Sequence, residues 1–212
     1  MLCIRDIAHT YPGGRTLPLP ALELDANDHC LLLGPSGSGK TTLLHIVGGL
    51  LRPQSGCVSI GGTDLTALRG NELDRFRGRQ IGIVFQRLHL IPSLTVMQNL
   101  IAAQYCSGLP VDKTRIRNVL GTLGIGDRAE ALPSQLSQGQ AQRATIARAV
   151  VNRPRLILAD EPTSSLDDGN AARVMDLLCE QARACDAALL IATHDARAKA
   201  VIERRVELEA AT

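Results

Sequence analysis

Gly34-Pro35-Ser36-Gly37-Ser38-Gly39-Lys40-Thr41 matches G-x-x-x-x-G-K-[ST], the spacing of a phosphate-binding P-loop. An apolar run, Leu31-Leu32-Leu33, precedes it and reads as a short buried strand. Thr42-Leu43-Leu44-His45-Ile46-Val47 follows and reads as a helix with one apolar face. Gly34, Gly37 and Gly39 carry no Cβ, so the backbone can turn tightly and bring its N–H groups close to a ligand. Those N–H groups and the positive end of the following helix make a concave anion site, which Pro35, Ser36, Ser38 and Thr42 complete. Lys40 adds a point charge for the outer phosphates, and the Thr41 hydroxyl is placed for Mg²⁺. The plain alternative is a Gly/Ser-rich turn with a solvated lysine; the flanking strand and helix argue against it.

A chain of 212 residues, 45% of them hydrophobic, suits one domain with room for an inserted lobe. Tyr11, Phe76, Phe85 and Tyr105 are its aromatics, so the core must be aliphatic, as in a parallel sheet buried on both faces. Lys+Arg and Asp+Glu stand at 23 against 21, which leaves no basic footprint for nucleic acid. No apolar run approaches the roughly 20 residues that span a bilayer. Met1-Leu2-Cys3-Ile4-Arg5-Asp6 lacks the basic-then-apolar order of a signal peptide, so a soluble cytoplasmic protein is expected. Six cysteines, at 3, 30, 57, 106, 179 and 185, show no CxxC pair or metal spacing; most are expected to be reduced, buried small hydrophobes.

Strands are expected over 2–7, 19–24, 57–60, 81–85, 156–159 and 187–193, and helices over 68–79, 95–103, 112–123, 139–151 and 168–184. Tyr11-Pro12-Gly13-Gly14 reads as a turn. From about 87 to 151 the pattern is helical without a convincing strand. Alternating strands and helices elsewhere predict an α/β fold with a mainly parallel sheet. In such sheets ligands bind at the carboxyl ends of strands. The P-loop, Gln86, Asp160-Glu161 and His194 each follow a strand, so one crevice can hold all four.

The chemistry of those positions fits nucleoside triphosphate hydrolysis. Asp160 can hold Mg²⁺ through a hydrogen bond or water, and Glu161 can orient and deprotonate an attacking water. Gln86 offers a neutral amide to water or metal, and His194 a hydrogen bond to a terminal phosphate; each has a bland alternative as a loop or structural residue. Ser137, with Gln140 three residues on, forms the pattern of a capping box. A capped helix and a second anion site remain equally open there.

Taken in order, the P-loop at 34–41, Gln86, Leu136-Ser137-Gln138-Gly139-Gln140, the run 156–162 ending Asp160-Glu161-Pro162, Ser165-Leu166-Asp167 and His194 resemble the ATPase subunit of ATP-binding-cassette transporters, over residues 2 to about 208. The resemblance implies an α/β P-loop NTPase (RecA-like) fold: a mainly parallel sheet core, an N-terminal antiparallel β part and an inserted α-helical subdomain. The core lobe would comprise about 1–86 and 154–212 and the helical lobe about 87–153. It implies ATP and Mg²⁺ as ligands, with Tyr11 stacked on adenine, Lys40, Glu161 and His194 catalytic, and Thr41, Gln86 and Asp160 at the metal. Leu136, Ser137, Gln138, Gly139 and Gln140 would close on ATP held by the opposite subunit, with Asp167 at the dimer interface. Two such subunits, identical or merely similar, would sandwich two ATPs and drive integral membrane permease subunits from the cytoplasmic face of the inner membrane.

Residues 43–50, 151–155 and 159–163 are similar to the lipoprotein-release and macrolide-efflux type. Departures stand beside the likeness. Gln138 replaces the usual first glycine of the signature, Asn27-Asp28 stands where a Gly-Glu turn is usual, and Ser164-Ser165 precedes Leu166. The chain stops soon after His194, so a regulatory C-terminal domain is not expected. A non-transporting signalling ATPase, a soluble cassette acting on DNA or ribosomes, and a non-hydrolysing scaffold are the competing readings. Intact Lys40, Asp160, Glu161 and His194 argue against the last.

Overall fold

The computed structural model describes residues 1–10, 16–164 and 166–208. Its first strand, β1 (Leu2–Thr10), buries Leu2, Ile4 and Ile7. The alternation over 19–24 promises one further strand. Instead, pairing with β1 is made in two short pieces, β2 (Thr16–Pro18) and β3 (Leu22–Leu24), on either side of Pro20. Proline has no N–H for the ladder, so Pro20, between the two pieces, interrupts the pairing. Then comes β4 (His29–Leu33), which runs through the P-loop into α1 (Lys40–Val47). The turn into β4 holds Asn27 at φ 64, a left-handed conformation that asparagine tolerates, which accounts for its standing where glycine is usual.

A hairpin follows, β5 (Ser55–Ile60) and β6 (Thr63–Asp64), turning at Gly61-Gly62. Next are α2 (Gly70–Gln80) and β7 (Ile81–Val84). The stretch after β7 holds α3 (Val96–Cys106), α4 (Lys113–Thr122) and α5 (Gln138–Val150), with no strand among the described residues. The chain re-enters the sheet at β8 (Leu156–Asp160) and continues through α6 (Asp168–Ala184), β9 (Ala188–Ala192), a 3₁₀ turn (Ala196–Ala200) and β10 (Arg205–Glu207).

Two sheets result. One is antiparallel, in the order β2-β1-β5-β6 with β3 also on β1; the other is wholly parallel, in the order β10-β4-β9-β8-β7. The parallel strands are aliphatic on both faces, as the scarcity of aromatics requires. Leu31, Leu33, Ile157, Ala159, Leu189 and Ile191 face a core shared with α3 to α6. Cys30, Leu32, Leu156, Leu158, Ala188 and Leu190 face the other way, onto α1 and the antiparallel sheet. The period of two in these runs thus divides one sheet between two cores. The cysteines are less buried than expected: Cys30 and Cys179 are buried, Cys3, Cys57 and Cys185 partly so, and Cys106 exposed. Cys3 and Cys57 lie on the open face of the antiparallel sheet, where Leu2 and Ile4 take the inner positions.

Candidate functional site

The P-loop joins the end of β4 to α1 through Gly39, which adopts φ 95 as the residue before the helix. A side chain is disfavoured at that φ. No side chain caps α1 and its first turn holds no acidic residue, so its leading N–H groups are left to an anion. Lys40 is buried and folds back, its Nζ donating to the Gly34 and Pro35 carbonyl oxygens at 2.7 and 3.0 Å. An ammonium has three protons, so one remains to point at a ligand. Beneath the loop, Ser38 Oγ is buried without a partner among the described residues.

Thr41 begins on the same helix turn, and its hydroxyl donates to Asp160 Oδ2 at 2.9 Å. The other oxygen, Asp160 Oδ1, is buried and has no partner among the described residues. Burial pushes the Asp160 carboxyl above its ordinary pKa, the Thr41 hydroxyl pulls it down, and the neighbouring Glu161 pushes it up again. A hydroxyl and an orphaned carboxylate oxygen side by side are the hard oxygen donors that suit Mg²⁺. Among the described residues no group of three His, Cys, Asp or Glu could hold a metal by itself. A cation here would therefore complete its shell with phosphate oxygens and water, as Mg²⁺ commonly does.

Glu161 leaves β8 in a left-handed conformation, φ 46, its N–H donating to Ala192 O at 2.8 Å. That turn ends the β8–β9 ladder and swings the carboxylate toward β9. There Oε2 accepts from Thr193 Oγ1 at 3.0 Å, and Oε1 lies 2.8 Å from His194 Nδ1. The Glu161 side chain is 12% exposed and that of His194 69%, so the carboxylate is fixed in the wall while the imidazole reaches into the opening.

These groups surround one pocket of ≈ 430 Å³, with Ser36, Gly37, Gly39, Lys40, Thr41 and Thr42 on one side and Gln86, Glu161 and His194 on the other. Asp160 lies behind Thr41 rather than on the pocket wall. Gly34, Pro35 and Ser38 shape the loop without lining the pocket. Leu136, Ser137, Gln138, Gly139, Gln140 and Asp167 are not brought to it either. Ser137 makes the capping box read from the sequence, its Oγ accepting from Gln140 N at 3.3 Å while Gln140 Oε1 accepts from Ser137 N at 2.9 Å. Asp167 caps α6, accepting from Asn170 N at 3.0 Å. Tyr11 and Ser165 lie outside the described residues. Sequence reasoning missed Thr193, which donates to Glu161, and Thr163, Asp195 and Arg197, which are linked to it in turn; the one available signal was an acid directly after His194.

The family model described as ABC transporter matches residues 20–164. The chain is 42% identical over 212 residues to a lipoprotein-releasing system ATP-binding protein, LolD, of Nitrobacter hamburgensis, covering 97% of this chain and 91% of that one. It is 39% identical over 214 residues to a macrolide export ATP-binding/permease protein, MacB, of Paracoccus denitrificans, covering 98% of this chain and 32% of that much longer protein. Among solved structures it superimposes with a TM-score of 0.87 on the ATP-binding cassette MJ0796 in a dimeric post-hydrolysis state bound to ADP and Pi. The two are 32% identical, with 98% of this chain and 94% of that chain covered.

Proposed function

Because this chain belongs to the ABC transporter family, we propose that two copies of it close head to tail around two ATP molecules and open when the ATP is hydrolysed. It is the ATP-binding and ATP-hydrolysing subunit of an ABC transporter. Its likeness to lipoprotein-releasing and macrolide-export proteins favours a task of extracting lipoproteins, drugs or peptides from a membrane. The observation that carries the reading is the Glu161–His194 pair facing the P-loop across one pocket.

In this reading the α1 N–H groups and Lys40 hold the phosphates, and Tyr11 stacks on adenine. Thr41, Gln86 and Asp160 would hold Mg²⁺, which would supply positive charge against the phosphates. Glu161 accepts the proton of the water whose oxygen attacks the γ-phosphorus, and the β–γ bridging oxygen leaves with ADP. His194, held with Nδ1 against Glu161, turns Nε2 toward the γ-phosphate. Residues 136–140 and Asp167, away from their own subunit's pocket, serve the ATP of the partner copy. The alternative partner is a similar ATPase in a heterodimer.

The domain works as two lobes, the core at about 1–86 and 154–212 and the helical lobe at about 87–153. Between them runs a groove of ≈ 490 Å³, lined among others by Leu50, Arg77, Phe85, His89, Cys106 and Arg148. Leu50 on its wall is 44% exposed, and Tyr105, next to Cys106, is 76% exposed. This groove, adjoining Gln86, is the seat for the integral membrane subunits. Among the described residues no helix is long and apolar enough to cross a membrane. Attachment at the cytoplasmic face of the inner membrane therefore runs through those partners, and no nucleic acid partner is expected.

The test is the size of purified Glu161→Gln protein by gel filtration with light scattering. With MgATP it is expected to double in mass and with ADP to stay single, while ATPase turnover falls by about 10²-fold or more. A variant that stays single in MgATP, alone and with its membrane subunits, removes the reading.

A further inference from the structure

The loops after β8 and β9 carry Glu161 and His194, and one carboxylate, Asp195, fastens them together. Asp195 Oδ2 accepts from Thr163 Oγ1 at 2.7 Å, across 32 residues of sequence. The Asp195 N–H donates to Thr193 Oγ1 at 3.0 Å, the same hydroxyl that donates to Glu161 Oε2. Thr163 and Thr193 are each 1% exposed, so both hydroxyls are locked in place. Asp195 is in turn gripped by Arg197, whose Nε lies 2.8 and 2.9 Å from its two oxygens and whose Nη2 lies 2.7 Å from Oδ2. That guanidinium holds the Asp195 carboxyl well below the usual carboxylate range.

Arg197 has a second arm. Its Nη1 reaches Asp168 Oδ1 at 2.5 Å, on the first residue of α6, beside the Asp167 cap. The two arms differ in surroundings. The Asp195 side chain is 12% exposed and that of Asp168 95%. An ion pair this open to water adds little to stability, so its use is not to hold the fold. What it does is connect the start of α6 to the loops bearing the base and the histidine.

We propose that Arg197 is a positioning residue for hydrolysis: it ties the Asp167–Asp168 start of α6 to the Thr163–Asp195–Thr193 cluster, so that a second copy of the chain pressing on the helix start moves Glu161 and His194. The proposal rests on the head-to-tail dimer above. One guanidinium between two carboxylates is a link with a stiff end and a loose end. The buried fork keeps its geometry while the exposed arm can be made or broken at little cost.

The test is steady-state ATPase kinetics and thermal melting of the parent, Asp168→Asn, Arg197→Lys, Arg197→Ala and the Asp168→Asn/Arg197→Ala double variant. Asp168→Asn and Arg197→Ala are each expected to lower kcat about tenfold, as small misplacements of reacting groups do, with KM for ATP within about twofold. The double variant is expected to be no slower than Arg197→Ala alone, because both changes cut one connection. Arg197→Lys, whose single ammonium cannot fork onto one carboxylate and reach another, is expected to restore the melting temperature but not kcat. A kcat for Asp168→Asn within about twofold of the parent, or losses that multiply in the double variant, overturns the proposal. If Arg197→Ala does not fold, Asp168→Asn against the parent decides alone, since Asp168 is a surface residue. A Glu161→Gln protein that never pairs in MgATP overturns the dimer instead, which keeps the two failures apart.

Discussion

At the scale of single residues, Asp160 and Glu161 are neighbours with opposite situations. Asp160 ends a strand with one oxygen on the Thr41 hydroxyl and the other buried and unpartnered among the described residues, so a cation arriving there would compensate the second oxygen. Glu161, one residue on, turns through a left-handed φ and has both oxygens engaged, by Thr193 and His194. The first is thereby suited to hold charge and the second to pass a proton. MgATP is accordingly expected to raise the melting temperature more than ATP with EDTA, and Asp160→Asn to abolish that difference; calorimetry with and without the chelator checks it. Asp195 gives a pH dependence. Its folded pKa lies below the unfolded value of about 4, so its contribution is present above pH 4 and is lost as acid titrates the folded form. The stability of Asp195→Asn, measured by urea titration, should therefore fall less steeply below about pH 4 than that of the parent.

At the scale of elements, α5 packs directly against β7 at Gly82. A Cβ at Gly82 would stand 2.3 Å from the Ala149 carbonyl oxygen, a backbone atom that cannot step aside. Gly82→Ala is therefore expected to destabilise by about 2 kcal/mol or more, read from the shift of a denaturation midpoint. The central parallel strands were legible because their aliphatic runs are bounded by turn residues and chemistry-bearing side chains. Helix α6 was legible to its ends because Asp167 caps one end and its apolar spacing persists to the other. The edge strands β6 and β10 were not, being two and three residues long with no face to alternate. They exist because β5 and β4 offer them open ladders. At the site, the P-loop, Gln86, Glu161 and His194 could be foreseen to converge, since each follows a strand of one sheet. The clasp of Asp195 with Thr163 and Arg197 with Asp168 could not, because loop-to-loop contacts carry no periodicity.

At the scale of the whole molecule, α1 is the shared wall of two compartments. Its Leu43, Leu44 and Ile46 pack with both the antiparallel sheet and one face of the parallel sheet, while its first turn faces the pocket. A shift of the phosphate-binding turn is therefore felt by both sheets at once. The groove lies on the far side of Gln86, between α2, β7, α3 and α5, so the same loop borders pocket and groove. The chain contains no tryptophan, and Tyr105 projects from the end of α3 with most of its ring uncovered. Tyr105→Trp would thus give the protein a lone indole whose ultraviolet emission carries no background from the interior. Its fluorescence maximum should hold still through nucleotide addition to the isolated subunit and move to shorter wavelength when solubilised membrane subunits are titrated in. An unmoved maximum would remove that rim of the groove from the contact.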